Sequence, residues 1–564
     1  MSVQTTSQNR LPVAIGEGPV TAQWPEGHPR RKQILLVLCL SLLVVVIDNT
    51  VLNTALPTLA RVLHASTSSL QWIMDAYTLC FAALLIPAGA LGDRYGRRRS
   101  LLAGLAVFAV GSLAASLTSS AGLLICTRVV MGLGAAFVMP ATLSILNAVF
   151  PPKERPHAIA AWSAVAGVGI VIGPTLGGLL LSHFWWGSIF LVNLPLVALA
   201  VVGVLRTLPE TAEPAGRRLD LLGTGLIGAA LFTLVDAIIE APVRGWLAPL
   251  TAAEAALAFA TLAVFIWWEL RIDNPLVDLR VFRSLALSAA AGSVTVVFFA
   301  LAGSLFVLTQ YLQLVHGYSP LSAGVRALPF AVSMGAVAPI STGLAKRFGI
   351  RVVLPAGMAL MGLGLLDLST AGVHATYPPL AVAVAIMGAG MGLLMAPAST
   401  TIMTAVPAHQ AGAGSAVNDT IREVGGALGV AVVGSLAADV YRSHLGATLA
   451  SHHAPAVVVK LATGSIAAAD AIGAHVGGLA GGELVSTAHQ AFTTAMSTGM
   501  RVAAAVGLAG AAASVLLLRR QGAPTAASPT SRELAVLDGG GFLGEVASGV
   551  LLAAAEAALR APVA

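Results

Sequence analysis

Apolar runs of about twenty residues recur along this chain, the length an α-helix needs to cross the hydrocarbon core of a bilayer. They fall near 34–56, 70–91, 100–118, 121–149, 158–181 and 189–206, then near 221–241 and 252–269. A last group lies near 286–310, 321–345, 352–371, 378–405, 417–439 and 495–518. A total of about fourteen such runs points to an all-α polytopic membrane protein, and an even count returns both ends to one side. Composition agrees: 57% of the 564 residues are hydrophobic and 10% are charged, against about a quarter charged in soluble proteins.

Charge sets the expected orientation. Between the second and third runs, Gly89–Leu102 reads GALGDRYGRRRSLL, in which Gly92 and Gly96 flank Asp93 and Arg94, and Arg97, Arg98 and Arg99 follow. Basic loops stay on the cytoplasmic side, so this hairpin is expected there. Lys153 and Arg155, Arg217 and Arg218, Lys346, Arg347 and Arg351, and Arg519 and Arg520 fall in loops of the same side. Loops of the opposite side offer little beyond Arg61 and Arg244. Both termini are therefore expected in the cytoplasm, with the chain spanning the cell membrane. The net charge of +6 resides in short loops and reports topology and an anionic inner leaflet, not nucleic acid. Arg30, Arg31 and Lys32 precede the first run without a small-residue cleavage site, so that run is read as a retained helix. Cys39, Cys80 and Cys126 lie inside apolar runs and are expected to be buried packing residues, not a disulfide or a metal site.

The expected organisation is a cytoplasmic tail over 1–32, a six-helix block over 33–206, a linker with two inserted helices over 207–284, a second six-helix block over 285–520, and a cytoplasmic tail over 521–564. Residues 441–494, rich in Ala, Gly and His, are expected outside the membrane as a partly helical hairpin. Phe542–Leu559 is apolar but contains Glu545 and Glu556, and is read as a surface helix, not a further span. The blocks also resemble each other. MGLGAAFVMP at Met131–Pro140 has a counterpart in MGAGMGLLMAP at Met387–Pro397, and LGDRYG at Leu91–Gly96 has a weaker one in LAKRFG at Leu344–Gly349. The two offsets are nearly equal, as two related halves would give.

Charges inside the spans carry the chemistry. Asp48 lies in IDNTVLNTALP (Ile47–Pro57) of the first run. A carboxylate at membrane depth costs roughly 2.5–3.5 kcal/mol, so it is expected to face the interior or a water-filled cavity. There it either hydrogen-bonds a neighbouring helix or exchanges a proton, because removal from water disfavours the charged form of a carboxyl group. Arg128 interrupts the fourth run in ICTRVVMGLGAA (Ile125–Ala136). Arginine stays protonated, so it cannot carry the proton; it snorkels, pairs permanently, or biases a nearby acid. Asp75 stands in QWIMDAYTL (Gln71–Leu79), where Trp72 and Tyr77 either anchor at the interface or stack on a flat cation. Asp367 has no evident partner in sequence and is the second candidate for a proton or a cation. Asp236 and Glu240 in the inserted pair, and Asp419, Arg422 and Glu423 in the thirteenth run, are accessory charges, the last three in local pairing. In the fifth run Gly169, Gly173, Gly177 and Gly178 clear one face for close helix contact, and Pro174 bends the helix.

No phosphate-binding G-x-x-x-x-G-K-[ST], nucleophile elbow or H-E-x-x-H is present. The reading is therefore not an enzyme, with no metal and no cofactor. Free energy for uphill transport would come from an ion gradient, one proton crossing 100 mV supplying about 2.3 kcal/mol.

Several of these stretches resemble one family. G-x-L-x-D-R-x-G-R-R-R at Gly89–Arg99 resembles the loop between helices 2 and 3 of the major facilitator superfamily. D-x-T-x-x-N-x-A-L-P from Asp48, R-x-x-x-G-x-G-A-A from Arg128 and G-x-x-x-G-P-x-x-G-G from Gly169 resemble motifs of its fourteen-span drug:proton antiporters. Trp185–Pro195 (WWGSIFLVNLP) and Asn418–Gly429 (NDTIREVGGALG) look like that subfamily as well. The resemblance covers roughly residues 34–440 and 495–520. It implies a major facilitator fold of two six-helix bundles plus two inserted helices, exporting lipophilic, cationic compounds in exchange for protons. Asp48 and Arg128 would couple protons, and Asp75, Trp72, Tyr77 and Asp367 would meet substrate between the halves. Gly89, Asp93, Arg94, Gly96, Arg97, Gly169, Gly173, Pro174, Gly177 and Gly178 would serve conformational gating. The expected partners are small-molecule substrates, protons and membrane lipids, with the protein a monomer. The competing readings are a dedicated exporter of one metabolite, antibiotic or lipid, and a non-transporting membrane sensor or scaffold.

Overall fold

The structure, a computed structural model, describes residue 24 and residues 26–212, 220–273, 275–405 and 411–519. The C-terminal tail, including the stretch 542–559 expected to form a surface helix, most of the N-terminal tail, and Arg217 and Arg218 of the linker lie outside the described residues. Among the described residues, fourteen helices are long and apolar enough to cross a membrane.

The first half comprises α1 (Arg31–Val62), α2 (Thr67–Tyr95), α3 (Arg97–Ser116), α4 (Ala121–Val149), α5 (Arg155–His183), and the broken span α6 (Ser188–Leu191) with α7 (Asn193–Thr207). The inserted pair is α8 (Leu221–Arg244) and α9 (Pro249–Glu269). The second half comprises α10 (Leu285–Gln310), α11 (Pro320–Arg326) with α12 (Leu328–Phe348), α13 (Ile350–Leu368), α14 (Tyr377–Ala405) and α15 (Ala411–Ser451). It is completed by α16 (Ala456–Ala462), α17 (Ile466–Val476) and α18 (Gly478–Arg519). Serine side chains start several of these helices; Ser66, Ser120 and Ser284 each accept from the backbone N–H three residues on. Between α2 and α3 the chain reverses on Gly96 alone, at φ +118°, a conformation that residues with a Cβ rarely adopt.

The halves repeat in their packing. α2 and α3 both lie on α4, as α12 and α13 lie on α14; α1 packs on α5 and α7, as α10 packs on α15 and α18. The similar stretches Met131–Pro140 and Met387–Pro397 fall on the equivalent helices α4 and α14. The two cross-half seams correspond too: α2 against α15, and α5 against α11. The inserted α8 leans on both α2 and α15, filling the seam with Leu231, Val235 and Ile239 against Leu79, Ala427 and Ala431.

The turn Arg94–Arg99 marks one end of the bundle, here termed the basic end. Among the described residues, the hydrogen bonds that join the halves lie toward the far end. Gln71 donates to the carbonyls of Val430 and Ala431 (both 3.0 Å) and to Ser435 Oγ (3.1 Å). Gln313, on the π-helical turn that ends α10, donates to the Thr54 carbonyl (2.8 Å). Toward the basic end, a methyl group at Gly167 of α5, or at Gly335 or Gly343 of α12, would meet nothing within 4 Å.

Residues 441–494 are helical nearly throughout. α15 and α18 continue past the membrane-length runs, and α16 and α17 connect them. The Gly464 carbonyl accepts from Thr67 N and Thr67 Oγ1 (both 3.3 Å), tying this hairpin to the start of α2. The expectation for the cysteines needs correction: all three are free, but only Cys39 is buried, and Cys126 is exposed on the outer surface of α4. Its helix shows that face outward with Leu123, Val129 and Val130, as a span in contact with lipid does.

Candidate functional site

Asp48 sits midway along α1 and is 2% exposed. Its Oδ2 lies 2.5 Å from Nη1 of Arg128, which is fully buried on α4. Asp48 Oδ1 accepts from Asn193 Nδ2 (2.9 Å), at the start of α7. The same amide nitrogen donates to Ser112 Oγ on α3 (3.1 Å), and that hydroxyl donates to the Phe190 carbonyl (2.8 Å). Arg128 Nε donates to the Ile73 carbonyl of α2 (3.1 Å), and its guanidinium lies 4.2 Å over the Tyr77 ring. One ion pair thus gathers α1, α2, α3, α4 and the broken sixth span. A buried pair is worth keeping only when further partners support it; here Asn193 donates to the carboxylate, the Ile73 carbonyl accepts from the guanidinium, and the Tyr77 ring covers the guanidinium face.

Asn193 and Ser112 were not among the sequence candidates. The available signal was an amide inside the apolar stretch Phe190–Ala198, since a buried polar group without a partner is costly.

The aromatic candidates on α2 divide. Tyr77 belongs to the ion pair, beneath Arg128 and beside Phe81 (5.9 Å between rings). Trp72 packs instead against Phe232 of α8 (5.1 Å), on the seam with the inserted pair. Asp75 is 1% exposed, and neither carboxyl oxygen has a hydrogen-bond partner. It stands one turn from Gln71, on the helix face turned to α15. Asp367 is not brought to this site; it stands exposed near the end of α13. Asp236 and Glu240 gather with Glu254 around Arg244 (3.5, 3.9 and 2.9 Å) at the far end of the inserted pair. Asp419 pairs with Arg422 at 3.3 Å, while Glu423 is half-buried beside them on α15.

The glycine motif of α5 packs where its spacing suggests. A Cβ at Gly169 would fall 2.7 Å from a Val46 methyl, one at Gly173 would overlap Thr50, and one at Gly177 would lie 3.0 Å from Val51, all on α1. Thr50 and Thr54 donate to the carbonyls of Gly169 (3.3 Å) and Pro174 (3.4 Å). Gly178 faces the other half, where a Cβ would meet the Pro320 carbonyl at 2.6 Å. Four small residues therefore let α5 touch both α1 and α11 backbone-close.

At the basic end, Asp93 accepts from Arg97 Nε (2.7 Å) one turn on, and Arg94 lies over the Tyr95 ring (5.4 Å). Gly89 packs under Pro140 of α4. Glu210, not foreseen from sequence, accepts from Arg98 N (3.1 Å) and pairs with Arg99 (3.6 Å), docking the linker on this turn. Outside the membrane, Glu154 pairs with Arg31 through two bonds of 2.7 and 2.9 Å, which hold its carboxyl below the ordinary glutamate range.

Among the described residues, twelve spans in two related bundles and an inserted pair, with an acid–arginine pair inside the first bundle, have the architecture of a membrane transporter. Residues 38–430 match the Major Facilitator Superfamily, and the chain belongs to it. Among relatives, the multidrug resistance protein Stp of Mycobacterium tuberculosis is 38% identical over 75% of this chain and 78% of its own length. The methyl viologen resistance protein SmvA of Salmonella typhimurium is 37% identical over 71% of this chain and 81% of its own. Among solved structures, a bacterial homologue of the lysosomal transporter Spinster, inward-facing and unoccupied, superposes with a TM-score of 0.62 at 18% identity. It covers 88% of this chain and 99% of that one, a likeness in fold alone.

Proposed function

We propose that this transporter exports lipophilic, cationic compounds from the cell in exchange for protons. The carrying observation is the buried Asp48–Arg128 pair, whose acid is the only negative partner of a fully buried guanidinium among the described residues. A proton taken up by Asp48 removes the charge that holds Arg128 and frees five spans from one shared contact. A second, unpartnered acid, Asp75, lies at the seam between the halves and is the group that meets a cationic cargo once movement of the halves lets cargo and water reach it. The names of two relatives, for resistance to multiple drugs and to methyl viologen, itself a cation, fit this reading.

Placing the basic end in the cytoplasm follows from its arginines. With the halves bonded at the far end, the substrate path then opens to the cytoplasm, the side from which an exporter loads. Rocking of one half against the other transfers the cargo.

The test is efflux of a fluorescent lipophilic cation from cells, and its uptake by everted vesicles, with the pH gradient intact or collapsed. Transport should cease when the gradient is collapsed and in Asp48→Asn, with the variant inserted normally. Equal rates with and without the gradient would refute proton coupling. A panel of unrelated cations separates a multidrug exporter from one dedicated to a single compound.

A further inference from the structure

The inserted helix pair carries a second acid site, remote from Asp48, at its basic end. Asp220 caps α8 and is 8% exposed; Glu269 ends α9 and is 3% exposed. Asp220 Oδ1 accepts from Gly223 N (2.8 Å), and Trp268 Nε1 donates to Oδ1 (3.1 Å) and Oδ2 (3.0 Å). Glu269 Oε2 accepts from Val277 N (3.0 Å), in the loop that follows α9. Its Oε1 is buried and receives no hydrogen bond. A Cβ built on Gly223 would fall 2.6 Å from Glu269 Oε1 and closer still to Asp220 Oδ2, so the two oxygens flank one point in space.

Among the described residues, no cation answers this concentration of negative charge. Among them neither acid forms a salt bridge, and besides the bonds named only the Leu276 backbone N–H also reaches the Glu269 carboxyl. The neighbouring charges are engaged elsewhere: Arg271 stacks on Trp267 (4.5 Å), and Arg280 donates to the Leu270 carbonyl (3.2 Å). Asp278 caps Arg280 N (3.0 Å), and Asp273 is exposed. On the helices flanking α8, Asp93 and Asp419 are paired with Arg97 and Arg422. Two ionised carboxylates this close cannot both persist away from water.

We propose that Asp220 and Glu269 hold a single proton between them, an acid–carboxylate pair that staples the base of the α8–α9 hairpin. The hydrogen-bond pattern says where the proton sits. Every neighbour of Asp220 is an N–H donor, which suits the ionised form, and Glu269 Oε1 is the one oxygen without a donor. The proton is on Glu269 Oε1 and is donated to Asp220 Oδ2. A metal ion in its place is disfavoured: Mg²⁺ and Ca²⁺ take six or more oxygens at roughly 2.0–2.6 Å, and of the four carboxyl oxygens here three already accept from N–H groups. The staple matters because α9 packs chiefly on α8, and α8 leans on α2 and α15, one from each moving half. Loss of the proton leaves two facing charges at the fastening of that wedge.

The test uses the full-length protein in lipid nanodiscs. Infrared spectra at neutral pH should contain a protonated-carboxyl C=O band that is lost in Glu269→Gln and in Asp220→Asn. The thermal midpoint of the wild type should fall on going from neutral to alkaline buffer. In Glu269→Gln, whose amide N–H replaces the shared proton, that slope should be lost. A band unchanged in both variants overturns the proposal. So does an identical alkaline slope in wild type and Glu269→Gln, or a midpoint raised by Mg²⁺ or Ca²⁺ only while both acids are present. If Glu269→Gln does not accumulate, Asp220→Asn decides by the same two readouts.

Discussion

Neutralising Asp48 alone leaves Arg128 buried with a carbonyl, a thioether and an aromatic face for company. The Ile73 carbonyl at 3.1 Å, Met131 Sδ at 3.9 Å and the Tyr77 ring at 4.2 Å remain, and none carries a negative charge. Removing one partner of a fully buried ion pair costs about 3–5 kcal/mol, whereas replacing both by uncharged groups of similar volume is often neutral. Asp48→Asn should therefore destabilise the protein by about 3–5 kcal/mol, as should Arg128→Met, which strands the carboxylate beside Asn193. The double variant should be more stable than either single one, with a coupling of about 3 kcal/mol in the cycle. The assay is reversible unfolding of the reconstituted protein by a denaturing detergent, read alongside proton-driven efflux. All three variants should fail to pump, and only the double should regain stability. A double variant no more stable than Asp48→Asn would refute the charge-burial argument. One that pumps with the gradient would remove the pair from the coupling mechanism.

Gly173→Ala puts a methyl group into Thr50, and overpacking of this kind costs about 1–3 kcal/mol. Efflux should fall at least tenfold while insertion is kept, and Gly167→Ala, which meets open space on the same helix, should pump normally; equal rates in the two would refute the packing role. His316, in the turn after α10, stacks on Tyr318 (11° between planes) and meets Tyr311 edge-on (4.7 Å between rings). Burial first, then Arg326, with His374 and His489 adding to it, hold its imidazole below the ordinary histidine range. The folded protein thus resists a proton that the unfolded chain accepts, so stability should decline as pH falls through the ordinary histidine value toward the lowered one. His316→Phe should flatten that decline in thermal scans, and an unchanged acid slope would show that the group does not contribute.

Membrane-spanning helices were legible because hydrocarbon forces each crossing to be a long, nearly uncharged run, and because the basic turns punctuate them. The pairing of Asp48 with Arg128 was legible for a related reason: charges at membrane depth need each other, and few others were present. What sequence could not supply is direction around a helix axis. Trp72 and Tyr77 lie five residues apart on α2, and that spacing turns one toward the inserted pair and the other toward Arg128. Asn193 escaped notice because one amide in a span carries no periodic signal, and its importance appears only when α3, α6 and α7 bring Ser112 and the Phe190 carbonyl around it. Glu210 and Glu269 were obscured differently, the first in a polar linker and the second at the very end of an apolar run, positions where solvation is the ordinary fate. In the fold the first lands on a basic turn and the second is enclosed beside Asp220. The sequence pattern therefore locates the charges that membrane burial makes expensive. It misses those that become expensive only because tertiary packing closes over them, and in this chain the second kind sits in the inserted pair that leans on both halves.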